Sequence, residues 1–179
     1  MRQNWQLFSK NMSDDLVDNI INLAGETQKA STFNGGDDSI RSSRVCWMTQ
    51  HEWLKDLLFN YCDWANQNAF HFNIYKKADI QYTEYHGDEK GHYGLHHDID
   101  WNRSDGLDRK ISITVQLSDP SEYEGGSFEF TEIQSPDVTE SKAKGTVLVF
   151  PSYLQHKVNP VTKGTRRSLV AWFEGPTFR

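Results

Sequence analysis

The stretch Tyr93-Gly94-Leu95-His96-His97-Asp98 decides how this chain is read. If residues 92 to 98 run as a strand, side chains two apart share a face, so His96 and Asp98 project together while His97 points away. An imidazole and a carboxylate on one face make a two-toothed metal clamp. A third donor, His156, follows sixty positions after His96, just beyond Thr146-Val147-Leu148-Val149-Phe150-Pro151, which reads as a buried strand ending in a turn. A barrel would bring it opposite His96. Two neutral imidazoles and one carboxylate on one side of an octahedron suit Fe(II) and leave positions open for other ligands.

Ten residues beyond His156, Arg166 sits in the run Gly164-Thr165-Arg166-Arg167-Ser168-Leu169-Val170-Ala171-Trp172-Phe173, a strand by its β-branched and aromatic content. Alternation puts Arg166, Ser168, Val170 and Trp172 on one face and leaves Arg167 on the other as a surface charge. A guanidinium with a hydroxyl two residues on is a fitting receptor for a carboxylate, because the planar fork binds both oxygens and the hydroxyl adds a hydrogen bond.

His96-x-Asp98, then His156, then Arg166-x-Ser168, with Tyr123-Glu124-Gly125-Gly126 between them, resembles the 2-oxoglutarate and Fe(II)-dependent oxygenases, in particular the prolyl 4-hydroxylase-like branch. The resemblance covers roughly residues 80 to 175, and the ordered set is far more specific than any one motif. It implies Fe(II) held by His96, Asp98 and His156, with 2-oxoglutarate and O2 as cosubstrates and ascorbate as a candidate reductant. Arg166 and Ser168 would hold the far carboxylate of 2-oxoglutarate, and the Tyr85 hydroxyl would reach the same molecule. Gln116 stands where many prolyl hydroxylases have a tyrosine facing the cosubstrate, and it can still hydrogen-bond a carboxylate. Tyr93 and Trp172 would wall the site, Trp101 and Arg103 would form a lip for substrate, and Arg41 and Arg44 are candidates for substrate contact.

Composition bounds the rest. At 179 residues the chain is expected to form one domain, with N-terminal helical support over about 1–78 and the oxygenase core over about 79–179. A hydrophobic fraction of 36% with 13% aromatics fits a globular protein whose core relies on large rings. The formal net charge of -6, with both signs spread along the chain, argues against a nucleic-acid footprint. No apolar run approaches a membrane span, and Met1-Arg2-Gln3-Asn4-Trp5 has no signal-peptide core, so a cytoplasmic location is expected. Cys46 and Cys62 are the only cysteines and have no zinc-site spacing; both are expected as free thiols, Cys62 as a small core residue.

Along the chain, residues 5 to 12 start extended. Ser13 then reads as the N-cap of a helix carrying Asp14 and Asp15 in its first turn and the stripe Leu16, Ile20, Ile21 and Ala24. Residues 31 to 44 read as a loop, either simply solvated or covering the site mouth, and Val45 to Met48 as a strand. From His51 to Phe70 the spacing of Trp53, Leu54, Leu57, Leu58, Tyr61, Trp64 and Ala65 is one face of a helix supporting a sheet. From Asp79 the period becomes alternating, with Gln81, Thr83 and Tyr85 on one face. Residues 99 to 109 read as a polar loop and Ile111 to Leu117 as a central strand. The glycines after Tyr123 permit a tight turn, and 133 to 144 reads as a hairpin excursion.

The expected fold is mainly β (α+β), two facing sheets with N-terminal helices packed on one. The resemblance names it as the double-stranded β-helix, or jelly roll. The leading expectation is a hydroxylase of a prolyl residue in a protein or peptide, converting 2-oxoglutarate to succinate. The alternatives are the same chemistry on a non-prolyl residue or free small molecule, and a noncatalytic metal-binding barrel, since fold alone does not establish function. The complete triad together with Arg166 and Ser168 argues against the last.

Overall fold

The structure, a computed structural model, describes residues 3–30 and 39–178. The chain begins with β1 (Gln6–Phe8), α1 (Asp14–Leu23), β2 (Gln28–Lys29), β3 (Arg41–Ser42), β4 (Arg44–Trp47) and α2 (Glu52–Ala65). It continues with β5 (Ala78–His86), β6 (His92–His96), β7 (Leu107–Gln116), β8 (Tyr123–Gly125) and β9 (Phe128–Phe130). The last elements are α3 (Val138–Lys142), β10 (Val147–Pro151), β11 (His156–Val158) and β12 (Val161–Pro176).

These strands make two sheets. The larger runs β1-β10-β7-β12-β5-β4-β2, with β8 against the start of β12; the smaller runs β3-β6-β11-β9. Among the described residues the strand pairings are antiparallel, as the double-stranded β-helix requires.

The central strands have two dissimilar faces, and that division positions the site. On β7 the residues Ile111, Ile113 and Val115 are fully buried against the helices, as are Leu169, Ala171 and Phe173 on β12. They meet Leu54, Leu58, Cys62 and Ala65 of α2 and Val17 and Ile20 of α1 in one apolar cluster. The opposite phase of β7, β12 and β5 is, apart from Val170, mostly polar or aromatic and faces the smaller sheet. A second cluster, including Phe128, Phe130, Phe150 and Val158, fills the space between the sheets. The helix side therefore supplies the hydrophobic burial, which frees the inter-sheet face to carry polar groups.

Ser13 caps α1 by accepting from the Leu16 backbone N–H at 3.3 Å, with Asp14 and Asp15 in the first turn. Val17, outside the expected stripe, is buried, while Leu16 and Ile21 are only partly so. Trp53 and Trp64 are about half exposed, so the layer on the sheet is made by the aliphatic members of α2. That helix ends at Ala65 and passes into a π-helical turn, Asn66–Phe70, closed by His71 in the left-handed region.

Beside its two helices the N-terminal part supplies strands, β1, β2 and β4 to the larger sheet and β3 to the smaller. Three expected boundaries are corrected. The segment 133–144 carries the one-turn helix α3, capped by Asp137, instead of a hairpin. Residues 107–109 of the supposed loop 99–109 already belong to β7. Of the loop expected over 31–44, residues 31–38 lie outside the described residues, while Arg41, Ser42 and Arg44 are in strands. No helix among the described residues is long and apolar enough to cross a membrane. Both cysteines are free, and Cys62 is buried in the helix-side core.

Candidate active site

The register of the smaller sheet brings two of the three sequence-distant donors together. β6 and β11 are antiparallel neighbours, and His96 lies directly opposite His156. Asp98 follows two residues beyond the end of β6, pinned by its backbone N–H donating to the Ser152 carbonyl at 3.0 Å. Its Oδ1 lies 3.5 Å from His96 Nε2 and its Oδ2 3.5 Å from His156 Nε2. One ligand atom from each residue falls within 4.8 Å of the others.

The tautomers are fixed by the backbone. His96 Nδ1 is 2.8 Å from the Gly94 carbonyl and His156 Nδ1 2.9 Å from the Leu154 carbonyl. A carbonyl can only accept, so each Nδ1 carries the proton and each Nε2 turns its lone pair to the shared centre. Burial pushes the His156 imidazole down to about 4, against the pull of Asp98. Burial also disfavours the Asp98 carboxylate, but His156, His96 and the Ser112 hydroxyl outweigh it and hold the carboxyl well below the ordinary aspartate range. Near neutral pH the centre thus presents an unprotonated imidazole beside an ionised carboxylate, the state a divalent first-row metal requires.

Ser112 on β7 donates to Asp98 Oδ2 at 2.6 Å and lies 2.9 Å from Ser152 Oγ. It orients the carboxylate that both imidazoles face. Ser112→Ala is expected to lower metal affinity by roughly 10–100-fold, the usual cost of losing a group that orients a ligand, without unfolding the chain. Mn(II) titration followed by electron paramagnetic resonance, with a thermal melt alongside, checks this.

Aromatic rings enclose the centre. Tyr93 stacks on His96 with centroids 3.5 Å apart, and Phe128 and Phe150 flank His156 at 5.2 and 4.9 Å. The cavity next to the triad extends along the larger sheet past Thr114 and Ser168 to Arg166. Arg166 is buried, 4% exposed, with the Tyr85 ring 5.5 Å away. Among the described residues its guanidinium forms no ion pair with a carboxylate, whereas the adjacent Arg167 reaches Glu84 and Glu122. Gly126, at φ +63°, makes room for it: a Cβ there would come 3.0 Å from Arg166 Cδ and 2.8 Å from Val161 Cγ2.

The other sequence-derived candidates divide. Tyr85, Tyr93, Ser168, Trp172 and Arg41 all line the cavity. Gln116 does not line this cavity but a small neighbouring one shared with Thr114, Phe128 and Arg166, and its Nε2 donates to the Ser118 carbonyl and the Tyr123 hydroxyl at 3.0 and 3.1 Å. Its Oε1 is buried without a partner. Arg44 is a correction: it pairs with Glu84 on the opposite face of the larger sheet, and its guanidinium reaches the Thr27 carbonyl. Trp101 is 64% exposed and is not among the residues lining the cavity. Arg103 is turned away from it, bonded to Glu174 Oε1 at 2.6 Å and Asp105 Oδ2 at 2.7 Å.

Glu174 is buried and also lies 2.7 Å from Lys77 Nζ, so it ties the 99–106 loop to the end of β12. Burial works against its carboxylate, but Lys77 and Arg103 outweigh that and depress its pKa. A depressed folded-state pKa adds stability above the unfolded value of about 4.3, and that stability is lost as pH falls through the folded pKa. Glu174→Gln is expected to cost about 1.5–3 kcal/mol at pH 7 and to flatten the acid limb of stability. Urea melts between pH 3 and pH 7 check both.

Sequence reasoning does not single out Ser112 or Arg109, and it quotes Tyr123 as part of a motif without giving its hydroxyl a role. Ser112 and Thr114 share the polar phase of β7 with Gln116, and that phase is the signal that could have found them. Arg109 lies with its guanidinium 4.2 Å from the Trp172 ring and 3.5 Å from Asp79. The Tyr123 hydroxyl lies beside both Gln116 and Arg166, a placement set by tertiary contacts that the turn expected at Gly125-Gly126 does not itself reveal.

Known proteins carry the same arrangement of strands. A Pseudomonas putida prolyl-4-hydroxylase superposes with a TM-score of 0.74 at 20% identity, over 95% of this chain and 92% of that one. The viral collagen prolyl hydroxylase of Paramecium Bursaria Chlorella virus-1, in its 2OG complex, gives 0.70 at 22% identity over 97% of both. At such identities the likeness carries the fold. In sequence, a PKHD-type hydroxylase of Idiomarina loihiensis is 31% identical over 113 residues, 63% of this chain and 50% of that protein. One of Sphingopyxis alaskensis is 36% identical over 85 residues, 46% of this chain and 38% of that protein. The matched part of the chain spans half or less of these relatives' length. Residues 80–174, over half of the chain and holding the triad strands and Arg166, match the family described as the 2OG-Fe(II) oxygenase superfamily, and the chain belongs to it.

Proposed function

We propose that the protein is a 2-oxoglutarate- and Fe(II)-dependent dioxygenase that hydroxylates an unactivated C–H bond, with a prolyl residue of a protein or peptide as the leading substrate. The observation that carries this reading is a buried guanidinium, Arg166, with no carboxylate among the described residues, opening on the cavity that holds the His96, Asp98 and His156 donors. A buried charge is costly without a counter-charge, so such a group is best explained by an anionic ligand. Fe(II) with 2-oxoglutarate and O2 supplies oxidative hydroxylation coupled to loss of carbon dioxide and formation of succinate.

The chain's own residues do the rest. His96, Asp98 and His156 would hold the metal on one side and leave the cavity side open. Arg166 would grip the far carboxylate of the oxoacid, with Ser168 adding a hydroxyl and Tyr85 a phenol from the neighbouring strand. Tyr93, Phe128 and Phe150 exclude water from around the imidazoles. The prolyl assignment draws on the names of the relatives and structural neighbours.

The test is succinate formation from 2-oxoglutarate with added Fe(II), in the presence of proline-containing peptides read by mass spectrometry. A mass gain of one oxygen on a prolyl residue supports the reading. Peptides that never gain oxygen while free amino acids do would move the substrate to small molecules. Succinate formation no faster than in the Asp98→Ala variant would remove the oxygenase assignment altogether.

A further inference from the structure

Resting on the oxygenase reading, we infer that Arg41 receives a carboxylate of the substrate itself. The molecule or residue oxidised then carries a free carboxylate within a few bonds of the reacting carbon. Two sources share that chemistry: a free amino acid and the C-terminal residue of a peptide.

Arg41 lies on β3 of the smaller sheet and is 9% exposed. Its Nε donates to Ser43 Oγ at 2.8 Å and its Nη2 to Gln81 Oε1, across on the larger sheet, at 2.9 Å. Both acceptors are neutral. The guanidinium carbon is 4.5 Å from the centre of the Tyr93 ring, and the same ring stacks on His96 at 3.5 Å. One aromatic ring is therefore shared by this charge and a proposed metal ligand.

The other guanidiniums around the site are accounted for. Arg109 meets Asp79, Arg103 meets Glu174 and Asp105, and Arg166 faces the end of the cavity proposed for the oxoacid. Arg41 has no carboxylate within ion-pair distance among the described residues. A divalent metal and a dianionic oxoacid would cancel in charge, and Asp98 would offset Arg166. Among the described residues the charge of Arg41 would then have no counter-charge.

Arginine stays protonated in proteins, so the site cannot relieve this by giving up a proton. Two neutral hydrogen bonds and a ring face return only part of the desolvation cost. A purely structural link between the sheets needs no charge, since an uncharged amide could bond the same oxygens. A guanidinium held by Nε and Nη2, with Nη1 lacking an acceptor among the described residues, is instead suited to an incoming anion.

The experiment uses the full chain loaded with Mn(II) and a non-reactive 2-oxoglutarate analogue. Ligands are the free amino acids, their N-acetyl forms, and tetrapeptides with free C-termini, each paired with its C-terminal amide. Paramagnetic relaxation of ligand protons reports both affinity and nearness to the metal. In the wild type the best acids should bind about tenfold or more tighter than their amides, the scale of one charge-assisted hydrogen bond. In Arg41→Gln the two series should converge. Arg41→Lys, which keeps the charge but loses the fork, should keep part of the preference and serves if the glutamine variant does not fold.

The inference is overturned if no acid outranks its amide in the wild type, or if the preference survives undiminished in Arg41→Gln. Which series binds, amino acid or tetrapeptide, names the source of the carboxylate. A wild type that takes up no 2-oxoglutarate beside Mn(II) would instead defeat the oxygenase reading, and this inference with it.

Discussion

Asp98→Ala is expected to abolish metal-dependent succinate formation and to weaken divalent metal binding by well over 100-fold, beyond the roughly 10–100-fold that loss of an orienting neighbour costs. The carboxylate faces both imidazoles at 3.5 Å and is the only anion of the triad. Without it the two Nε2 lone pairs, on rings whose centroids are 4.3 Å apart, have nothing between them to offset the metal's charge. The fold should survive, because Ser112 and Ser152 already lie within hydrogen-bond distance of each other and the anion carries a burial cost of its own. Asp98→Asn separates charge from shape: it keeps the side chain's outline and one acceptor, and should still lose most of the metal affinity. Isothermal titration with Mn(II) and succinate quantified by NMR decide the matter. A variant that binds metal as the wild type does would show that the triad is not a metal centre.

The parts of this architecture that can be read from the sequence are those where one strand is long enough to show its period. β5, β7 and β12 each run nine residues or more, and their alternation separates Ile111, Ile113 and Val115 from Ser112, Thr114 and Gln116 without ambiguity. The same period places Arg166, Ser168, Val170 and Trp172 along one wall of the cavity. Short elements defeat this reasoning. β2 and β3 have two residues each, too few to alternate, and their pairing is set by tertiary contacts. Arg41 and Arg44 illustrate the consequence. They read alike in sequence, yet the chain leaves the smaller sheet after Ser42 and enters the larger one at Arg44, so no common phase relates them. One guanidinium enters the cavity and the other reaches the Thr27 carbonyl, beside the strand that pairs with Glu84.

Trp101 and Arg103 fail for a different reason. Their closeness to Asp98 in the chain suggests a lip to the site, but Glu174, seventy-one residues away from Arg103, pulls that loop toward the end of β12. Gln116 is subtler: its strand phase is right, but the Ser118 carbonyl and the Tyr123 hydroxyl claim its amide nitrogen. A donor that is free in the sequence is occupied in the fold.

Arg166→Met should raise the KM for 2-oxoglutarate by about 100-fold or more, since truncating one partner of a buried hydrogen-bonded charge pair costs roughly 2–5 kcal/mol. The same variant should melt no lower than the wild type in the absence of ligand, and it can gain stability. The reason is that the guanidinium is buried with no carboxylate among the described residues, and methionine fills much of its volume without a desolvation cost. Saturating 2-oxoglutarate with Mn(II) should stabilise the wild type in proportion to the logarithm of ligand concentration over Kd, and should leave Arg166→Met almost unmoved. Arg166→Lys ought to fall between them, keeping a charge but losing the two-pronged geometry. This opposition separates a binding residue from a structural one. If Arg166 only held the barrel together, its removal would lower the melting temperature with and without ligand alike, and the shift produced by 2-oxoglutarate would persist.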